Sequence, residues 1–251
     1  MRIVVIGGTG MIGSKVVANL TARGHEAVAA APATGVNTLT GDGLAEAVQG
    51  ADVVIDVTNA PSWGDQEVRD FFVTSTTNQL AAEAAANVGH HVALSIVGAD
   101  REPDSGYLRA KVAQEELITA SGRPYTILRS TQFFEFVRAI ANTAADGDQI
   151  RLTDASFQPI AADDVASFLT DTALAPAANA TLEIGGPEPI GLAELARRAL
   201  AHDGDPRTVV DDPDAPYYGA KVTDGSLTPG PGARLGAVRF DDWLARDLVT
   251  R

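Results

Sequence analysis

The chain has 251 residues, 45% of them hydrophobic, enough for one sizeable core with a smaller C-terminal part. A formal net charge of −14 opposes any broad phosphate-binding surface and excludes nucleic acid as a partner. The absence of cysteine removes disulfides, thiol nucleophiles and cysteine metal sites.

Residues 2–6 read as a β-branched strand ending in Gly7-Gly8-Thr9-Gly10-Met11-Ile12-Gly13, with a helix following over 11–23. No signal segment precedes this strand and no apolar run approaches a membrane span, so a cytoplasmic protein without membrane contact is expected. A strand, a tight turn and a helix N-terminus aim N–H groups and a positive dipole end at the turn, which suits a pyrophosphate. Gly7 permits the turn, Gly10 lets the backbone approach phosphates, and Gly13 lets the helix sit close to the sheet. A second strand over 25–31 ends in Ala29-Ala30-Ala31 before Pro32. That end offers neither an acid for a ribose 2′-hydroxyl nor an Arg for a 2′-phosphate. Lys15, Thr34 and Asn37 can reach a 2′-phosphate and no carboxylate opposes one, which favours NADP, with NAD as the alternative.

A short strand is expected over 36–39, then Gly41-Asp42-Gly43 and a helix over 44–49 that Asp42 would cap. Residues 51–57 form a continuous apolar strand, as when both sheet faces are covered. Thr58, Asn59 and Ala60 at its carboxyl end should lie beside the cofactor. Trp63 follows in a loop, either lining a substrate pocket or simply packing. A long helix over 65–87 and a strand over 91–97, carrying Ser95, come next. The adjacent His90 and His91 point to opposite strand faces and have no partner at ligand spacing, so no metal is expected. A helix over 107–120 brings Tyr107 and Lys111 to one face. After a strand over 125–129, Phe133, Phe134 and Phe136 join Trp63 as candidate aromatic walls.

Beyond 145, short strands (149–152, 157–160, 181–185) and helices (165–174, 192–201, 240–248) surround a loop at 211–232 containing Tyr217-Tyr218. The alternation predicts a single Rossmann-type α/β domain over 1–251: a doubly wound parallel sheet with a small C-terminal α+β part. Residues 1–150 would mainly bind the dinucleotide and 151–251 mainly form the substrate side.

Gly-Gly-Thr-Gly-x-x-Gly, together with Tyr107-x-x-x-Lys111 and Ser95 twelve residues upstream (107 − 95), resembles the short-chain dehydrogenase/reductase (SDR) superfamily. The likeness runs over about 1–184 and is nearest the atypical, NmrA-like branch. It implies Tyr107 as general acid or base, Lys111 lowering the phenol pKa and binding the nicotinamide ribose, and Ser95 orienting the substrate oxygen. A phenol with an ordinary pKa of ~10 needs a neighbouring cation to exchange protons near neutrality. The resemblance also puts Asp42 near the adenine amino group, as an alternative to capping. The chain departs from the common pattern at Ser130-Thr131, where Pro-Gly is usual, and at the second strand. The implied activity is hydride transfer between NAD(P)H and a small, largely apolar carbonyl, alcohol or quinone. The alternatives are a redox-sensing regulator without turnover and an oxygenase-like enzyme tailoring aromatic polyketides.

Overall fold

A computed structural model describes residues 1–102 and 104–247. The chain begins β1 (Arg2–Ile6), α1 (Met11–Ala22), β2 (Glu26–Ala30), α2 (Leu44–Val48), β3 (Val53–Asp56), α3 (Asp65–Ala86) and β4 (His90–Ile96). It continues α4 (Gly106–Ala120), β5 (Tyr125–Ser130), α5 (Val137–Thr143), β6 (Ala145–Asp146), β7 (Gln149–Leu152), β8 (Ser156–Phe157) and α6 (Ala162–Leu174). The last elements are β9 (Ala180–Gly185), β10 (Ile190–Gly191), α7 (Leu192–Asp203), β11 (Thr208–Asp211), β12 (Arg234–Leu235) and α8 (Phe240–Asp247). The predicted end of the last helix, Leu248, lies outside the described residues.

Seven parallel strands form the main sheet in the order β12-β9-β5-β4-β3-β1-β2. The order reverses at β1, whose neighbours are β2 and β3, and ligands bind at the carboxyl ends of strands beside such a reversal. Helix α1 buries Ile12, Val16 and Leu20 at four-residue spacing and, with α6, covers one face of the sheet. On the other face α3 packs between α2 and α4. Its buried stripe starts apolar, Val68 and Phe72, and turns polar at Ser75, Thr76, Gln79 and Glu83.

A second core, from Phe134 to Leu244, gathers α5, α7, α8 and the small sheet β11-β7-β6. The two halves interleave across residue 150, because β9 and β12 return to the main sheet while Phe134 and Val137 enter the second core.

The strand expected over 36–39 is not formed. Pro32–Thr34 makes a 3₁₀ turn, and the Asn37 side chain accepts the Leu39 N–H at 2.9 Å. That local bond replaces a ladder bond. The histidines have structural partners. His90 Nε2 lies 2.9 Å from Thr126 Oγ1, and His91 Nδ1 lies 2.9 Å from Glu83 Oε1.

Candidate active site

The glycine turn is built as a phosphate cradle. Gly7 closes β1 with φ +82°, a left-handed conformation that favours glycine, and its N–H donates to Ala30 O at 2.8 Å. A Cβ on Gly13 would lie 2.2 Å from Gly7 O, so α1 approaches as closely as backbone allows. Gly8, given no role from the sequence, is equally constrained: its Cβ would meet Ala29 Cα at 2.7 Å. A Cβ on Gly10 would instead face open space, with only Gly7 O at 3.3 Å. Helix α1 has no side-chain cap and no acid in its first turn, whereas α3 and α6 carry Asp or Glu there. Its first N–H groups are therefore available to an anion, and the residues present fit a dinucleotide pyrophosphate.

From this turn a cavity of about 550 Å³ runs along the carboxyl ends of the strands. Its lining includes Gly7, Thr9, Gly10, Met11, Ile12, Gly13, Thr58 and Asn59 from the predicted cofactor set. Ser95, Tyr107, Lys111 and Phe133 line it further along. At the adenosine end Ala30, Ala31, Pro32 and Asn37 offer no charged side chain.

Five predicted residues lie elsewhere. Lys15 turns towards α6 and pairs with Asp163 Oδ1 at 2.6 Å, outside the cavity lining. Asp42 is exposed and accepts the Thr40 hydroxyl at 2.6 Å; it does not line the cavity. Ala60 packs beside Val68 and Phe72. Phe134 faces inward against Phe240 and Trp243, while Phe136 takes the wall position, stacked on Phe133 at 5.6 Å. Trp63 lies outside the cavity lining, 62% exposed, with its ring 5.7 Å from that of Tyr107.

The three chemical residues line one cavity, and each is hydrogen-bonded to a partner outside the trio. The Tyr107 hydroxyl donates to Asn59 Oδ1 at 3.1 Å. Lys111 Nζ donates to Leu94 O at 2.8 Å and to Gln114 Oε1, and sits 4.4 Å from the centre of the Phe72 ring. Phe72 also meets the Tyr107 ring edge-to-face at 6.1 Å, so it lies against both groups. Burial, with the Tyr218 phenol adding to it, raises the Tyr107 pKa above its ordinary value. This corrects the expectation that Lys111 lowers it. Burial draws Lys111 down to about 8, against the opposing pull of Asp56 and Glu115. The Ser95 hydroxyl donates to Glu115 Oε1 at 2.6 Å, and Glu115 is held by Arg129 at 2.6 Å.

Sequence reading missed a buried polar chain behind this site. Lys111 bonds Gln114, and the Gln114 amide donates to Asp56 Oδ2 at 2.9 Å. The Gln79 amide donates to the same oxygen at 3.1 Å and to Ser75 Oγ at 2.9 Å. Ser75 in turn donates to Thr38 Oγ1 at 2.8 Å, and Thr38 lines the cavity at its adenosine end. The spacing of Gln114 and Glu115, three and four residues after Lys111, was the available signal. Among the described residues no cluster of three or more His, Cys, Asp or Glu is arranged to hold a metal, and no helix is long and apolar enough to cross a membrane.

The comparisons agree with this geometry. Residues 7–176 match a family model described as NAD(P)H-binding. A chloroplastic divinyl chlorophyllide a 8-vinyl-reductase from Cucumis sativus is 28% identical over 242 residues, covering 80% of this chain and 58% of that protein. The photosystem II assembly factor Ycf39 from Synechocystis is 26% identical over 149 residues, covering 54% of this chain and 46% of that protein. The chain thus spans about half to three-fifths of the length of these relatives. Among solved structures, an SDR superfamily protein from Agrobacterium tumefaciens with bound NAD superposes with TM-score 0.77 at 21% identity, covering 100% of this chain and 97% of that one. An NADPH-dependent quinone oxidoreductase from Escherichia coli gives TM-score 0.70 at 17% identity, covering 98% and 100%. At such identities the likeness shows the fold. The family match over residues 7–176 makes this chain a member of the NAD(P)H-binding family on an atypical SDR-type fold.

Proposed function

We propose that the chain is an NAD(P)-dependent reductase of a small, largely apolar carbonyl or quinone, working in the cytoplasm. The observation that carries this reading is one cavity joining the glycine cradle to a protonated phenol and an apolar wall. The glycine turn, Thr58 and Asn59 would hold the nicotinamide nucleotide, which supplies hydride when bound. The neutral adenosine end leaves NADP and NAD weakly discriminated, and the freedom from carboxylates there favours NADP. Tyr107 keeps its proton at neutral pH, so it is suited to donate from Oη to a developing alkoxide or enolate rather than to act as a base. Lys111 keeps a cation at the cavity wall, over the Phe72 ring. Phe133 and Phe136 exclude water at the reacting end.

The activities of two similar proteins, a vinyl reductase and a quinone oxidoreductase, support a conjugated acceptor. The test mixes protein with NADPH or NADH and a panel of quinones and carbonyls and follows nicotinamide absorbance. Oxidation with at least one acceptor is expected; none across the panel sinks the reading. A second reading, a nucleotide-sensing protein without turnover, draws on Ser95 being occupied by Glu115 and Lys111 by Gln114. Tight cofactor binding with no acceptor would favour it.

A further inference from the structure

The segment 211–232 returns beside Trp63 and the cavity-lining Gln132. Arg101 ties it down by donating to Gly225 O at 2.6 Å and Thr228 O at 3.0 Å. Within it, Tyr217-Tyr218-Gly219-Ala220 forms a tight turn closed by Tyr217 N–H to Ala220 O at 2.8 Å and Ala220 N–H to Tyr217 O at 3.0 Å. Both central residues have positive φ, +44° at Tyr218 and +83° at Gly219. Such mirror-image turns usually carry Asn or Gly first, because a bulky side chain is strained there.

From this position the Tyr218 ring reaches Trp63. It stacks on Trp63 with centroids 5.6 Å apart and planes 10° from parallel. Trp63 in turn neighbours the ring of Tyr107. Tyr217 roots the turn: it is buried, meets Phe157 edge-to-face at 5.0 Å, and its hydroxyl accepts from the amide of cavity-lining Gln132. Tyr218 is anchored far less. It is 45% exposed, and its hydroxyl makes no hydrogen bond among the described residues. Beside the turn, Arg109 pairs with Asp65 and Lys221 with Asp214. The Tyr218 ring, face-on against Trp63 and edge-on against Tyr217 at 4.6 Å, has no polar anchor and covers an exposed indole beside the proton donor, the surface that an uncharged flat molecule would use.

We propose that the substrate is a planar, uncharged, conjugated ring system that binds by displacing Tyr218 from the face of Trp63. This rests on the reductase reading above and names its substrate class. Tyr218 is the displaceable cover and Trp63 the platform, which brings the edge of the ring towards the Tyr107 hydroxyl.

The experiment uses the full chain saturated with NADP⁺, so that no turnover occurs. Binding of 2-methyl-1,4-naphthoquinone is measured by calorimetry, with saturated 1-decalone as the non-planar control. Folding of Trp63→Ala and Tyr218→Gly is checked by melting; glycine suits the left-handed backbone at 218. Trp63→Ala should weaken the quinone at least about tenfold, a loss of roughly the size of one good ring contact. Tyr218→Gly should tighten it about threefold or more, because no ring competes for the platform. Decalone affinity and NADP⁺ affinity should not respond to either change. No quinone binding to the wild type, an unchanged affinity in Trp63→Ala, or an unchanged or weaker affinity in Tyr218→Gly overturns the proposal. The expected quinone pattern without any oxidation of NADPH leaves the platform standing and removes the reductase reading.

Discussion

The two ends of the cavity are made of different material. The cofactor end is backbone: Gly7 with its left-handed φ, Gly13 against Gly7 O, and uncapped N–H groups of α1. The reacting end is side chain: Tyr107, Lys111, Phe133 and Phe136 along the wall, with Trp63 and Tyr218 at its margin. A backbone site is made within one strand–turn–helix unit, and its geometry tolerates little change. A side-chain site is assembled from remote segments, so the same fold hosts different chemistry there.

Four substitutions or conditions would break or sharpen this contrast. The largest effect is expected at the reacting end. Tyr107→Phe keeps the ring against Trp63 and Phe72 but removes the proton held at Asn59. It should lower kcat about 10²-fold or more while cofactor affinity stays level. Wild-type turnover in this variant would make Tyr107 a packing residue. At the cofactor end, Gly10→Val directs a branched side chain into the open cradle and should weaken nucleotide binding about tenfold with the fold intact. Calorimetry showing undiminished affinity would remove the glycine turn from the site.

A smaller effect concerns pH and neither end. Glu83 raises the His91 pKa above its ordinary value by charge and hydrogen bonding, outweighing the burial that lowers it. The stability from this pair is full below the unfolded pKa of about 6.5 and is lost as pH rises through the folded value. Burial, with His91 adding to it, lowers His90 to about 4, so His90 destabilises the fold as pH falls from about 6.5 towards 4. Melting temperature should therefore peak near pH 6.5, and Glu83→Gln should flatten the alkaline limb. An alkaline limb identical in the two proteins would contradict the assignment. The smallest effect is predicted for Lys15→Ala. With its ammonium on Asp163, loss of Lys15 should change NADPH and NADH affinities by less than about twofold. A selective loss of NADPH would put Lys15 back at the ribose.

The same contrast decides what could be read in advance. Strands β1, β3 and β4 were legible because continuous apolar runs mark strands covered on both faces. The glycine turn was legible because all its parts are local. Lys15 was not: its partner Asp163 is 148 residues away, and a long side chain follows its partner. Of the three phenylalanines expected at the wall, Phe134 leaves it because a 3₁₀ turn over Phe134–Phe136 sends its ring into the second core. Tyr218 reads in the sequence only as part of a loop, since nothing near it indicates that Trp63 waits opposite.

The polar chain behind Lys111 changes what the lysine can be taken to mean. Asp56 is 1% exposed and is satisfied by neutral donors, two glutamine amides and the Thr58 N–H. Lys111 stands one link away, holding Gln114 in the orientation that serves Asp56. Its removal would leave a buried carboxylate with less positive potential around it and a glutamine free to rotate. The lysine is thus a girder of the sheet–helix junction as well as a wall of the cavity. A descendant of this protein that had given up turnover would still have reason to keep it. Its presence in a sequence attests to an intact frame, and evidence of a working reductase has to come from the phenol.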